Sequence, residues 1–271
     1  MLAKSLRSAV MLALLSVAAH GSDGFPFPPP SERALVPITV NDARGAFGTV
    51  WNSEIRTYRD VNQSVAIYPE GCPWSVPIGD NLYPCDNPHA DYPFEVRRVG
   101  FFPTQPGETQ GAFLYVDRAL RAHLSLSLLV TGGGLPVQVP VVWEDEFTGG
   151  VVQLIGVPDV HGQRITLRVY GSDPELLGTV RIRVIAEPGQ NVLDERVVPL
   201  TVVQRYYSQT TVIQRLPLRP PFAQIEFPGP FTEQADTVHF EITPLTPNLR
   251  IWAFASITDN VTQQVVLRTP S

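Results

Sequence analysis

The chain has 271 residues, 44% of them hydrophobic, with 20 basic residues, 26 acidic ones and a formal net charge of −6. That length fits two domains of ordinary size or one large one. The acidic balance argues against nucleic acid and anionic lipid as partners, because phosphate binding needs a basic surface.

Lys4 and Arg7 precede an apolar run over residues 8–17, and Ala19-His20-Gly21 offers small residues at both cleavage positions. The run is too short to span a bilayer, so residues 1–21 are expected to be a secretory signal peptide. No cysteine follows the run, so no lipid anchor is expected. No later segment is apolar for the ~20 residues a membrane helix needs. The mature chain is expected to be secreted, or periplasmic or extracellular, without membrane insertion. Two cations and no anion leave with the signal, which takes the net charge from −6 to −8. Lys4 is the sole lysine, and both methionines lie in the signal. A mature chain without lysine has no Schiff-base amine, no phosphate-loop lysine and no Ser–Lys pair. The plain cause expected for that composition is codon bias in a GC-rich genome.

Residues 22–33 contain Phe25-Pro26-Phe27-Pro28-Pro29-Pro30. Proline removes donors and fixes φ, so this stretch is expected to be an extended linker. Strand signals follow, with turn signals between them. Val36-Pro37 opens the first, and residues 50–58 place Trp51, Ser53, Ile55 and Thr57 on one face. Residues 63–68, 94–102, 112–116 and 124–130 continue the series, the last with leucine and serine alternating. Residues 117–124 make at most one or two helical turns. Thr131-Gly132-Gly133-Gly134 breaks the chain, and a domain boundary is expected there.

Beyond it, Val139-Pro140-Val141-Val142-Trp143-Glu144-Asp145 resembles Val36-Pro37-Ile38-Thr39-Val40-Asn41-Asp42. Strands are predicted over 151–157, 163–170, 179–186, 195–204, 208–216, 238–242, 251–257 and 261–267. The doubling predicts an all-β chain of two tandem antiparallel β-sandwich (Ig-like) domains, over residues 34–134 and 135–271. The 27 prolines suit the edges and turns of such sheets.

Cys72 and Cys85 are the chain's two cysteines. In an exported chain an even pair reads as a disulfide, worth ~3 kcal/mol in the chain-entropy model. Residues 69–93 are then a stapled loop inserted into the first domain.

Val36-Pro37, Gly45-Ala46-Phe47-Gly48-Thr49-Val50-Trp51, Pro106-Gly107-Glu108-Thr109, Gly111-Ala112-Phe113-Leu114-Tyr115-Val116 and Trp252-Ala253-Phe254-Ala255-Ser256-Ile257-Thr258-Asp259-Asn260 carry a resemblance. Over most of residues 34–271 the chain is similar to secreted tandem β-sandwich (Ig-like) proteins of environmental bacteria, of the Acidobacteria type. That resemblance implies a fold and no activity, and the cysteine loop lies outside its pattern.

Searching for chemistry yields exclusions and one binding candidate. His123 lies near Ser125, Ser127 and Asp117, but those serines alternate in a strand and no Gly-x-Ser-x-Gly elbow is present. No catalytic residue is assigned. Asn87, His89 and Asp91, with Asp80, Asn81 and Asp86, form an oxygen-rich loop. It matches no calcium-loop spacing, so no metal and no cofactor is expected. Trp143-Glu144-Asp145-Glu146 reads as a strand-end turn. No carboxylate pair stands out for glycoside cleavage. Asn62-Gln63-Ser64 and Asn260-Val261-Thr262 match the glycosylation sequon, which carries no consequence in a bacterium.

Trp74, Tyr83 and Tyr92 lie in or beside the cysteine loop, among several prolines. A stapled loop is preorganised, so its aromatic faces are candidates to stack on sugar rings or anchor a protein. Trp51, Trp143 and Trp252 sit in strand patterns and are expected in the core. The chain is therefore expected to be a non-catalytic binding, adhesion or structural module whose partner is a protein or a glycan. A carbohydrate-binding module using the aromatic loop is the first alternative. A hydrolase with a site not visible in the sequence is the second.

Overall fold

The computed structural model describes residues 31–40, 42–44, 48–59, 65–69, 76–78, 81–83, 89–90, 110–132, 136–188, 191–202, 206–207, 214–215, 219–231 and 236–270. The fold is all-β. In chain order the strands are β1 (Ser31–Thr39), β2 (Ala43–Arg44), β3 (Val50–Arg59), β4 (Val65–Pro69), β5 (Val76–Ile78), β6 (Asn81–Tyr83), β7 (His89–Ala90), β8 (Gln110–Asp117), β9 (Leu124–Thr131), β10 (Val137–Pro140) and β11 (Val142–Trp143). They continue with β12 (Val152–Pro158), β13 (Gln163–Gly171), β14 (Thr179–Glu187), β15 (Val192–Pro199), β16 (Tyr206–Tyr207), β17 (Gln214–Arg215), β18 (Phe222–Pro228), β19 (Thr237–Pro244), β20 (Ile251–Asp259) and β21 (Val265–Arg268). Two 3₁₀ turns, Arg118–His123 and Glu144–Glu146, lie among the described residues. No described helix is long and apolar enough to cross a membrane.

Four antiparallel sheets stack in two pairs. One pair has the strand orders β11-β1-β8-β4-β7 and β10-β9-β3-β2. Val36 and Leu114 from the first sheet meet Leu128, Val130 and Val139 from the second in a shared core. The other pair has the orders β12-β19-β14-β15 and β18-β13-β20-β21. Its core takes every second residue of β13, β14, β18 and β19. Val180, Ile182 and Val184 of β14 and Val238, Phe240 and Ile242 of β19 face Ile165, Leu167 and Val169 of β13 and Ala223, Ile225 and Phe227 of β18. This is the period-two pattern of a half-buried strand. In β12 the register against β19 shifts between Leu154 and Val157. Gly156, at φ 64, takes the conformation that admits the extra residue, and so both Leu154 and Val157 stay in the core.

The strand β20 departs from alternation, since Ile251 through Thr258 are all buried. Ile251, Ala253, Ala255 and Ile257 enter the core of their own pair of sheets. Trp252 and Phe254, with Tyr170 of β13, pack against Leu35, Phe113, Val142 and Phe147 of the other half. A strand covered on both faces reads as a continuous apolar run. This seam is closed by the Tyr170 hydroxyl, which donates to the Pro37 carbonyl, and by Arg250, whose Nη2 donates to the carbonyls of Glu144 at 2.9 Å and Phe147 at 2.7 Å.

Several expectations need correcting. Strand β1 begins at Ser31, inside the stretch read as linker, because Glu32 and Arg33 pair with Val116 and Tyr115 of β8. Pairing with the first half continues past the glycine run at residue 134. Val137 pairs with Val130 of β9, and Val142 pairs with Leu35 of β1. The change from one pair of sheets to the other therefore falls between Trp143 and Val152. Val36 and Val139 enter one common core, so the two Val-Pro runs are not counterparts in two separate units. Strand β15 spans residues 192–199 rather than 195–204, and β18 occupies a stretch for which no strand was expected. The strand predicted over 261–267 starts at Val265, because Asp259 holds the preceding residues in a turn by accepting from the amides of Val261 and Thr262.

Candidate functional site

The two outer faces of the second pair of sheets differ. The outer face of β13 and β20 is covered by the seam. The outer face of β12-β19-β14-β15 stands open, and its side chains follow from the same alternation that fills the core. Inward Ile182 and Val184 leave Arg183 and Ile185 outward on β14, and inward Val238, Phe240 and Ile242 leave His239 and Glu241 outward on β19. The register then places partners opposite one another. Glu241 lies across from Arg183 on one side and Gln153 on the other, and His239 lies across from Ile185.

These residues line a shallow depression of about 450 Å³, formed by Gln153, Ile155, Arg183, Ile185, Glu187, His239 and Glu241. The Nη1 of Arg183 donates to Oε2 of Glu241 at 3.1 Å, and its Nε lies 3.3 Å from Oε2 of Glu195 on β15. The Nδ1 of His239 is 3.5 Å from Oε1 of Glu187. Ile185 is buried at the floor, whereas Ile155 is 50% exposed at the margin.

Chemically the arrangement holds a base beside an orienting acid in His239 and Glu187. The residues lining it include no Ser, Thr or Cys, so they do not complete a nucleophilic triad. Among the described residues no group of three or more His, Cys, Asp or Glu is placed to hold a metal. The lining instead offers carboxylate, imidazole, guanidinium and amide groups next to exposed aliphatic surface. A second depression, of about 680 Å³, lies along the turn of residues 244–250 and Gly149. Its one charged side chain, Arg250, is occupied with the carbonyls of the seam.

A denser charge cluster lies at the seam itself. The Nε of Arg33 donates to Oε2 of Glu144 at 3.0 Å, and Arg121 bonds both Glu32 at 2.7 Å and Asp145 at 2.8 Å. The Arg33 guanidinium holds the Glu144 carboxyl below its ordinary range, and Arg121 does the same to Asp145. Arg121 also lies over the ring of Trp143, 4.8 Å from its centroid. The groups of this cluster bond one another between β1 and the two 3₁₀ turns, which makes it a structural clamp.

The residues singled out in the sequence fall elsewhere. Trp74, Tyr92, Cys72 and Cys85 lie outside the described residues, as do Asn87 and Asp91 of the oxygen-rich loop. Of Tyr83 the structure describes the backbone, which ends β6 opposite Val76. Ser125 and Ser127 sit in β9 opposite Tyr58 and Arg56 of β3, in the strand expected of them. Trp252 is buried, while Trp51 and Trp143 are half-buried at the edge of the first core. The open face was not foreseen as a site. Its signal, the outward His239 and Glu241 between inward apolar residues, was present, but their approach to Arg183 depends on a pairing across more than fifty residues.

Fold and face together define the class, an all-β protein of stacked antiparallel sheets whose β12-β19-β14-β15 face is open and polar. No protein-family model, no curated protein and no solved structure matches the chain.

Proposed function

We propose that the protein is an exported, non-catalytic binding or structural module, made of tandem Ig-like sandwiches and working at or outside the cell surface. The observation that carries this reading is the open face of β12-β19-β14-β15, where a depression of about 450 Å³ combines hydrogen-bonding side chains with exposed Ile155. A largely preformed concavity with a few convergent polar groups is the usual form of a binding site. The signal-like residues 1–21 support export. A Cys72–Cys85 disulfide belongs to the same reading, since it needs an oxidising compartment.

Sedimentation with isolated cell envelopes tests the proposal. The wild-type chain is expected to co-sediment, and Ile155→Asp to stay in the supernatant at unchanged thermal stability. Equal partition of the two proteins would remove this face from the reading. Recovery of the chain in the cytosol with residues 1–21 intact would remove export.

A further inference from the structure

The hydrogen-bonding capacity left over on the open face points to one ligand chemistry. Arg183 lies between Glu241 and Glu195, so its charge is already met twice. Among the residues that line the depression a strongly anionic ligand finds no unopposed cation, since Arg181, outward on the same strand, does not line it, and such a ligand would face Glu187 and Glu241 as well. The internal contacts use one oxygen of each carboxylate, Oε2 of Glu241 and Oε1 of Glu187. The other oxygens, Oε1 of Glu241 and Oε2 of Glu187, have no hydrogen bond among the described residues. The Nε2 of His239 and the exposed amide of Gln153 have none either. The row therefore presents acceptors in the carboxylates, a donor and an acceptor in the amide, and an imidazole nitrogen able to serve as either.

A ligand that only donates would leave the Gln153 amino group unmet. One that only accepts would leave the carboxylates unmet. A hydroxyl does both, and neighbouring hydroxyls on one ring match such a mixed row. Ile155, half exposed, and Ile185 beneath supply apolar surface on which the C–H face of a sugar ring can rest. The depression is open to solvent, which suits a polymer lying across the strands.

We infer that Gln153, Glu187, His239 and Glu241, with Ile155 as the apolar margin and Ile185 beneath, form a binding site for a neutral polyhydroxylated ligand, a saccharide chain. This inference rests on the binding-module reading above. It also moves the sugar site away from the aromatic loop of Trp74, Tyr83 and Tyr92. An amine is the rival occupant, since among the described residues the Glu187 carboxylate is paired with His239 alone.

Affinity electrophoresis of the whole chain through gels holding neutral polysaccharides (a β-glucan, a galactomannan, a xylan) tests it, alongside calorimetric titration with spermidine. At least one neutral polymer is expected to retard the wild type. Gln153→Ala and Glu241→Gln are each expected to weaken that binding about five- to tenfold, the loss of one hydrogen bond. Trp74→Ala is expected to bind as the wild type does. Circular dichroism and melting temperature serve as the fold control, and Gln153 is exposed enough to be replaced without loss of packing. If Trp74→Ala abolishes retardation while Gln153→Ala keeps it, the sugar seat is the loop and the inference falls. If no neutral polymer binds but spermidine does, and Glu187→Gln loses it, the saccharide class falls while the binding reading stands. If neither ligand binds, the saccharide inference falls, and the binding-module reading stands or falls by the envelope sedimentation.

Discussion

Glu144 shows how much a single side chain can carry at the seam. Its carboxylate takes a bond from Nε of Arg33 at 3.0 Å, and its backbone carbonyl accepts from Arg250 at 2.9 Å. The hydrogen bond from Arg33 is the largest cause of its lowered pKa, with desolvation working the other way. A carboxylate with a depressed folded pKa contributes stability that is fully present above its ordinary value of 4.5 and is lost as pH falls through the depressed value. Asp145, lowered by Arg121, and Asp259, lowered by the amides of Thr262 and Val261, act in the same direction. The chain is therefore expected to lose stability on acidification below pH 4.5, with Glu144→Gln losing less than the wild type over that interval. Urea midpoints measured from pH 6 to pH 2.5 check this. Parallel curves for the two proteins would show that the pair contributes nothing. The turn at Trp143-Glu144-Asp145-Glu146 was legible in the sequence, as a strand end. The partner Arg33, 111 residues away, was not. Any of the chain's arginines could have met Glu144, and only the register of β11 on β1 selects this one.

Single strands were readable where the residue types themselves alternate. In β13, β14 and β19 the apolar and polar residues alternate, and the predicted spans agree with the observed ones to within about two residues at each end. The strand β18 carries the same signal, with Ala223, Ile225 and Phe227 inward and Gln224 and Glu226 outward, but prolines at 220, 221, 228 and 230 obscured it. These prolines are compatible with a strand because β18 is an edge, where one side of the backbone needs no partner. The edge strand β15 is guarded differently. Asp194, Glu195 and Arg196 interrupt the exposed Val192 and Val197, which discourages pairing with another chain. In β8 the constraint is steric, and it concerns Gly111. A Cβ there would lie 2.7 Å from Cε1 of Tyr170 and 3.2 Å from Cγ of Pro220. Tyr170 cannot swing away, because its ring stacks on Phe254 at 6.4 Å and its hydroxyl is tied to Pro37. Gly111→Ala is expected to destabilise the protein by ~1–3 kcal/mol, the usual cost of overpacking a filled site. Chemical denaturation measures it, and a stability equal to the wild type would mean that the seam has slack. The sequence marks Gly111 only as the first residue of Gly111-Ala112-Phe113-Leu114-Tyr115-Val116, since the ring it must admit comes from the other half of the chain.

At the scale of the whole molecule, the seam decides whether the two pairs of sheets behave as separate bodies or as one. The class of fold was legible, because strand patterns recur from end to end and no helix competes with them. The arrangement of the halves was not. The Val-Pro doubling pointed to a boundary at residue 134, yet β10 and β11 return to the first half. A two-residue motif cannot say which edge its strand will pair with. The run over residues 251–257 did hold the missing information, since an apolar strand without alternation has to be covered twice. Leu35, Phe113, Val142 and Phe147 meet Tyr170, Trp252 and Phe254 there, and Trp252 is 5% exposed. Domains joined by small polar contacts unfold independently, whereas a large apolar contact couples them. The wild type is therefore expected to unfold in one transition, with hydrogen-exchange protection lost together in β9 and β14. Trp252→Ala removes the indole that packs against Tyr170 and Phe254, with ring centroids 6.4 Å and 5.6 Å away. It is expected to cost ~3–5 kcal/mol, as for other buried aromatic truncations. It should also split the transition, because each half keeps its own core while the contact between them is lost. Urea unfolding followed at once by far-ultraviolet dichroism and by exchange at β9 and β14 separates the possibilities. Coincident curves in Trp252→Ala would show that the remaining contacts, Arg250 on the carbonyls of Glu144 and Phe147 and the Thr148–Ile251 bridge, hold the halves together without the aromatic cluster. Split curves in the wild type would show that the cluster packs the halves without coupling them.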